Sequence, residues 1–151
     1  MNYYNEKTEV YLNGNWVPAS SANTSLYDQT LHYGTGVFEG IRSYKTSSGA
    51  KIFKAKEHFE RLIYSAKVMH LDLNLSVNEL IDLSYETLKR NNLENAYIRP
   101  LVWAGPNMSL TSTTNVNVFI CAWEWGQLHG GSHIRVMTSS YRRPDPKSCH
   151  V

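Results

Sequence analysis

The sequence predicts an α+β fold, a mostly antiparallel sheet with two helices packed on one face. Three observations carry that expectation. Short apolar runs meet at tight-turn signals in the first third of the chain. Two segments with helical spacing stand together in the middle, and strand-like runs return after them. With 151 residues there is enough chain for one ordinary domain with its own core.

Residues 9–18 hold two apolar runs around Asn13-Gly14, the strongest two-residue hairpin signal. Residues 19–30 are rich in Ser, Thr and Asn and read as a loop. They lead to Leu31–Arg42, LHYGTGVFEGIR, where Gly34, Gly36 and Gly40 sit among Tyr33, Phe38, Glu39 and Arg42. Two readings stand open here: a tight turn feeding a strand, or a glycine-shaped ligand loop. The run from Gly36 to Tyr44 reads as a strand, 46–49 as a turn, and Lys51–Phe53 as the strand pairing back. From Lys56 to His70 the period changes, with Phe59, Leu62, Ile63 and Ala66 on one helical face. Ser76-Val77-Asn78-Glu79 matches a capping box, and Val77, Leu80, Ile81, Ser84 and Leu88 line a second helix that stops at Asn91-Asn92. Ala96–Ala104 returns to strand character, with Pro100 arguing for an edge or a bulge. Residues 105–115 read as a polar loop, Val116–Trp123 as a buried strand, 126–132 as a loop and His133–Thr138 as a last strand. The final ten residues, RRPDPKSCHV, have the character of a connector.

Composition narrows the function. Hydrophobic residues make up 42% and charged residues 19%, a globular balance. A net charge of +2 without a Lys/Arg run argues against nucleic acid. No apolar stretch approaches the roughly 20 residues that span a bilayer. The polar start lacks the apolar segment of a signal peptide, so a cytoplasmic setting is expected. Cys121 and Cys149 fit neither a metal spacing nor a disulfide framework, and the six histidines form no zinc pattern, so no metal is expected.

Arg61, on the first helix, reads either as a solvated arginine or as an anion clamp for phosphate or carboxylate. Tyr97 and Arg99, two apart on a strand, share a face. They call for an acidic partner within the chain or for a substrate carboxylate. Lys147, between Pro146 and Ser148, reads as solvated. No nucleophile-base triad, Walker sequence or H-E-x-x-H pattern is present.

Three segments, LHYGTGVFEGIR, EHFERLIYSAKVM and AYIRPLVWAG, in this order and spacing, resemble branched-chain amino acid aminotransferases. These are class IV (fold type IV) enzymes that use pyridoxal 5′-phosphate. The likeness runs from about Tyr11 to Val151; D-amino acid transaminases and aminodeoxychorismate lyases carry looser versions of the first motif. The resemblance implies that residues 1–140 form the smaller N-terminal domain and 141–151 the start of the interdomain connector. A larger C-terminal domain would lie beyond. It implies that Arg61 holds the cofactor phosphate, that Phe38 and Gly40 form a pocket wall, and that Tyr97 lies near the substrate carboxylate. Arg99 would serve when glutamate is the substrate. Tyr33 and Leu110 would reach the neighbouring subunit's site, and Trp125 would line the pocket. At Leu128 many relatives carry a tyrosine. The Schiff-base lysine is expected just after Val151, so this chain alone would hold no catalytic residue and be inactive. Lys147 matches the connector, not that lysine. The implied partners are leucine, isoleucine, valine, their 2-oxo acids, glutamate and 2-oxoglutarate, in a homo-oligomer built of dimers. A D-amino acid transaminase, an aminodeoxychorismate lyase and a non-catalytic isolated domain remain as alternatives.

Overall fold

A computed structural model describes residues 3–109, 111, 115–126, 133–142 and 145. Ten elements follow in order: β1 (Glu9–Leu12), β2 (Asn15–Pro18), α1 (Gln29–Tyr33), β3 (Gly36–Phe38), β4 (Ile41–Thr46), β5 (Gly49–Ile52), α2 (Ala55–Val68), α3 (Val77–Arg90), β6 (Ala96–Ala104) and β7 (Val116–Glu124). They build one antiparallel sheet in the order β2-β1-β7-β6-β4-β5, with β3 also pairing β6. The α+β expectation holds.

Local chemistry explains most elements. Asn13 and Gly14 both take positive φ, as a two-residue hairpin demands, and bring Leu12 opposite Asn15. Ser76 caps α3: its Oγ accepts from the Glu79 N–H while the Glu79 carboxylate accepts from the Ser76 N–H. After α3, Asn92 takes the left-handed conformation that ends the helix cleanly. α2 and α3 cover one face of the sheet. Phe59, Leu62 and Ala66 from α2 and Leu80 and Leu88 from α3 meet Ile41, Ile98, Val102, Ile120 and Ala122 from the strands. Phe59, Leu62, Leu80 and Ile98 are fully buried.

Four expectations need correction. Residues 19–30 are not all loop: Ala19–Ser21 form a 3₁₀ turn, and α1 begins at Gln29. Gly34 ends α1 in the left-handed region, its N–H donating to the Thr30 carbonyl. The strand expected over 36–44 is two strands, broken at Glu39-Gly40. Pro100 lies neither at an edge nor at a bulge but in β6, the middle of the sheet. Both departures share one cause. Phe38 faces Leu101 and Ile41 faces Ile98, so Glu39-Gly40 fall opposite Pro100-Arg99. Pro100 has no N–H to give; the ladder lapses there and keeps only the Glu39 N–H to Pro100 carbonyl bond, 3.2 Å. Finally, His133–Thr138 is no strand. The segment joins no strand of the sheet, and Val136 and Met137 stand exposed.

Candidate functional site

Alternation along β6 sorts its residues between two faces. Ala96, Ile98, Pro100, Val102 and Ala104 turn toward the helices, and Tyr97, Arg99, Leu101 and Trp103 toward the uncovered face. On that face five of the sequence-derived candidates, Phe38, Gly40, Tyr97, Arg99 and Trp125, come together. Arg99 Nη2 donates to the Tyr97 hydroxyl at 2.8 Å. The guanidinium lies over the Phe38 ring, 4.3 Å from its centroid, and 5.2 Å from the Tyr97 ring centroid. Its Nε makes no hydrogen bond. Among the described residues no carboxylate pairs with Arg99, so the acidic partner considered from sequence is not there. A half-buried cation held by a hydroxyl and a ring face, with donors to spare, suits an anionic ligand.

Tyr97 is held on both sides. Its ring centroid lies 4.9 Å from that of Trp123 and 5.1 Å from that of Trp125. Gly40 makes the room: a Cβ there would overlap the Tyr97 hydroxyl and sit 3.0 Å from Cζ. This glycine is therefore needed to seat Tyr97. Arg42 secures the other flank. Its Nη2 donates to the Trp125 carbonyl at 2.8 Å and its Nη1 to the Gly126 carbonyl at 3.4 Å. That fixes the backbone carrying Trp125. Phe38 is 58% exposed on this face, and Tyr33, at the end of α1, is 46% exposed. Leu110, Leu128 and Lys147 lie outside the described residues.

Arg61 stands apart from the Tyr97–Arg99 pair, at the break between β3 and β4. Neither sequence reading describes it fully: its side chain is 63% exposed, yet its head is fixed. Nε donates to Glu39 Oε1 and Nη2 to Glu39 Oε2. His58, one turn earlier on α2, places Nδ1 2.9 Å from the same Oε2. Since an ionised carboxylate only accepts, Nδ1 must carry the proton. Burial pushes the Glu39 carboxyl up, but the bonds and charges of Arg61 and His58 outweigh it and hold it below the ordinary carboxylate value. The same ion pair raises Arg61.

Sequence reasoning missed the roles of Glu39, His58 and Arg42. One signal was available for the first two. His58 and Arg61 are three apart on a helix and so share a face, which invites a search for a buried acid opposite. Arg42 acts on backbone carbonyls that no sequence pattern marks.

Cys121 sits across the ladder from Arg99. Its Sγ lies 3.8 Å from the Arg99 carbonyl oxygen, and burial pushes the thiol up to about 12. No group of three or more His, Cys, Asp or Glu suited to a metal occurs among the described residues. Nor is any helix among them long and apolar enough to cross a membrane.

Known proteins share the sequence and the fold of this chain. Residues 36–150 match the family model for amino-transferase class IV. The branched-chain-amino-acid aminotransferase of Pseudomonas aeruginosa is 40% identical over 140 residues, covering 89% of this chain and 46% of that protein. The crystal structure of the Escherichia coli branched-chain amino acid aminotransferase superposes with a TM-score of 0.87 at 33% identity, covering 95% of this chain and 49% of that one. The branched-chain aminotransferase of Thermoproteus uzoniensis, a thermophilic archaeon, was solved with norvaline. It superposes at 0.86 with 32% identity, covering 93% and 48%. The chain thus spans about half the length of these relatives. On the family match and the fold it shares with these structures, it belongs to the class IV aminotransferases.

Proposed function

We infer that this chain is the small domain of a branched-chain amino acid aminotransferase. The whole protein would exchange an amino group between leucine, isoleucine or valine and 2-oxoglutarate, using pyridoxal 5′-phosphate. In this reading residues 1–140 are the small domain and 141–151 open the connector. The Schiff-base lysine comes from beyond residue 151, and the protein works in the cytoplasm as a homo-oligomer. The carrying observation is Arg99: a cation held by Tyr97 and Phe38 with no carboxylate of its own among the described residues.

Each residue has a share that follows from its surroundings. Tyr97 accepts from Arg99, which leaves its own O–H for a carboxylate oxygen of the substrate. Arg99 meets the side-chain carboxylate of glutamate. Phe38 and Trp125, with Tyr33 and Leu110 of the adjacent subunit, offer the apolar wall for a branched side chain. Gly40 seats Tyr97, as its lack of a Cβ requires. The cofactor's phosphate suits Arg61: Glu39 engages Nε and Nη2, and no described residue engages Nη1. Bound pyridoxal 5′-phosphate supplies the electron sink for the substrate α-carbon. One solved branched-chain amino acid aminotransferase, 39% identical to this chain, is a complex with 4-methylvaleric acid, a branched acid of the size this wall would take.

The test is a substrate panel on the full-length protein with 2-oxoglutarate as acceptor. L-Leucine, L-isoleucine and L-valine are expected to turn over, and D-alanine and aminodeoxychorismate to be poor. Turnover of D-alanine without the branched L-amino acids would mean a D-amino acid transaminase; production of 4-aminobenzoate would mean a lyase.

A further inference from the structure

We propose that Glu39, backed by His58, is a positioning residue that sets the preference for a phosphorylated cofactor by fixing the plane of the Arg61 guanidinium. The inference rests on the reading of Arg61 as the phosphate anchor. An exposed helix arginine ordinarily samples many rotamers, and holding one costs entropy. Here the head is fixed from the other side. Glu39 is 6% exposed at the break between β3 and β4, where its backbone N–H bonds to the Pro100 carbonyl. Its two oxygens take Arg61 side-on, through Nε and Nη2. That geometry leaves both Nη1 hydrogens pointing away from Glu39, while Nη2 also lies 3.3 Å from His58 Nδ1.

Charge makes the arrangement informative. Glu39 cancels the charge of the residue that is meant to attract phosphate. If net charge governed capture, removing Glu39 would strengthen phosphate binding. If orientation governs it, removing Glu39 weakens phosphate binding although the site becomes more positive. His58 Nδ1 holds Oε2 from the same helix, so the carboxylate cannot rotate to follow Arg61. A carboxylate that only ties α2 to the sheet would affect all ligands of the cleft alike, phosphorylated or not.

The experiment compares dissociation constants of pyridoxal 5′-phosphate and of unphosphorylated pyridoxal for the full-length apoprotein, read from tryptophan quenching and the absorbance of bound cofactor. The ratio of the two constants is the readout. Glu39→Gln is expected to shrink the preference for the phosphorylated form by at least about ten-fold, leaving pyridoxal itself within about three-fold. Arg61→Ala is expected to shrink it as far or further, and the double variant no further than Arg61→Ala alone. Should Glu39→Gln not fold, Glu39→Asp, which keeps the charge but shortens the reach, carries the same test with a smaller loss. An unchanged or increased preference in Glu39→Gln, or equal weakening of both ligands, overturns the positioning role while a collapse in Arg61→Ala keeps the anchor. An unchanged preference in Arg61→Ala overturns the anchor itself.

Discussion

At the scale of single residues, Tyr97 and Arg61 each depend on a neighbour at the strand break, Gly40 and Glu39. With Trp123 and Trp125 against it, Tyr97 has nowhere to move if a methyl group appears at residue 40. Gly40→Ala is therefore expected to lower stability by about 1–3 kcal/mol, the usual cost of overpacking. Denaturant unfolding of the full-length protein measures it, and a change below about 0.5 kcal/mol would show that the ring yields freely. Glu39 gives a pH prediction. Its folded value is depressed, so its ion pairs stabilise the protein above the ordinary value of 4.5 and are lost as pH falls through the depressed one. The difference in melting temperature between the parent protein and Glu39→Gln should be full at neutral pH and narrow below pH 4.5. A difference that stays constant down to the acid limit would mean that the carboxylate charge contributes nothing.

At the scale of elements, the parts set by local chemistry are the parts the sequence disclosed. The Asn13-Gly14 hairpin and the Ser76/Glu79 capping box each rest on a few adjacent residues, and both form as read. Removing the cap by Ser76→Ala is expected to cost about 1 kcal/mol, because the Glu79 N–H loses its acceptor, Ser76 Oγ, and the Glu79 carboxylate loses the hydroxyl that donates to it. A melting curve identical to the parent's would place the stability of α3 entirely in its packing. What the sequence hid is set across the sheet. Pro100 reads locally as an edge residue, yet it occupies a central strand because the partner strand breaks opposite it. His133–Thr138 alternates like a strand, but alternation does not by itself supply a partner, and the segment joins no strand of the sheet. The candidate site divides the same way. Tyr97 and Arg99 were legible from their spacing, whereas Glu39 and Arg42 act on groups distant in sequence, Arg61 and the Trp125 carbonyl. In the core, Phe59→Ala is expected to cost about 3–5 kcal/mol, since a fully buried ring between α2 and the sheet leaves a cavity that rigid strands do not fill.

At the scale of the whole molecule, the sheet has one finished face and one unfinished one. Helices α2 and α3 seal the first. The second shows Phe38 and Leu31 exposed, with Phe38 against the paired Arg99 and Tyr97. In the proposed enzyme that face meets a second domain and a neighbouring subunit, so residues 1–151 prepared alone should self-associate, as sedimentation would detect. The same preparation is expected to give no measurable transamination of leucine, and activity in it would mean that the essential lysine is not where the proposal puts it. The central claim, that this face is the carboxylate-binding wall of an aminotransferase, is tested most directly by Arg99→Ala in the full-length protein. The measurement is kcat/KM for glutamate and for leucine side by side. Loss of a charge-assisted contact should lower the glutamate value by about 10–100-fold and the leucine value by much less. Equal losses for the two substrates would contradict the assignment.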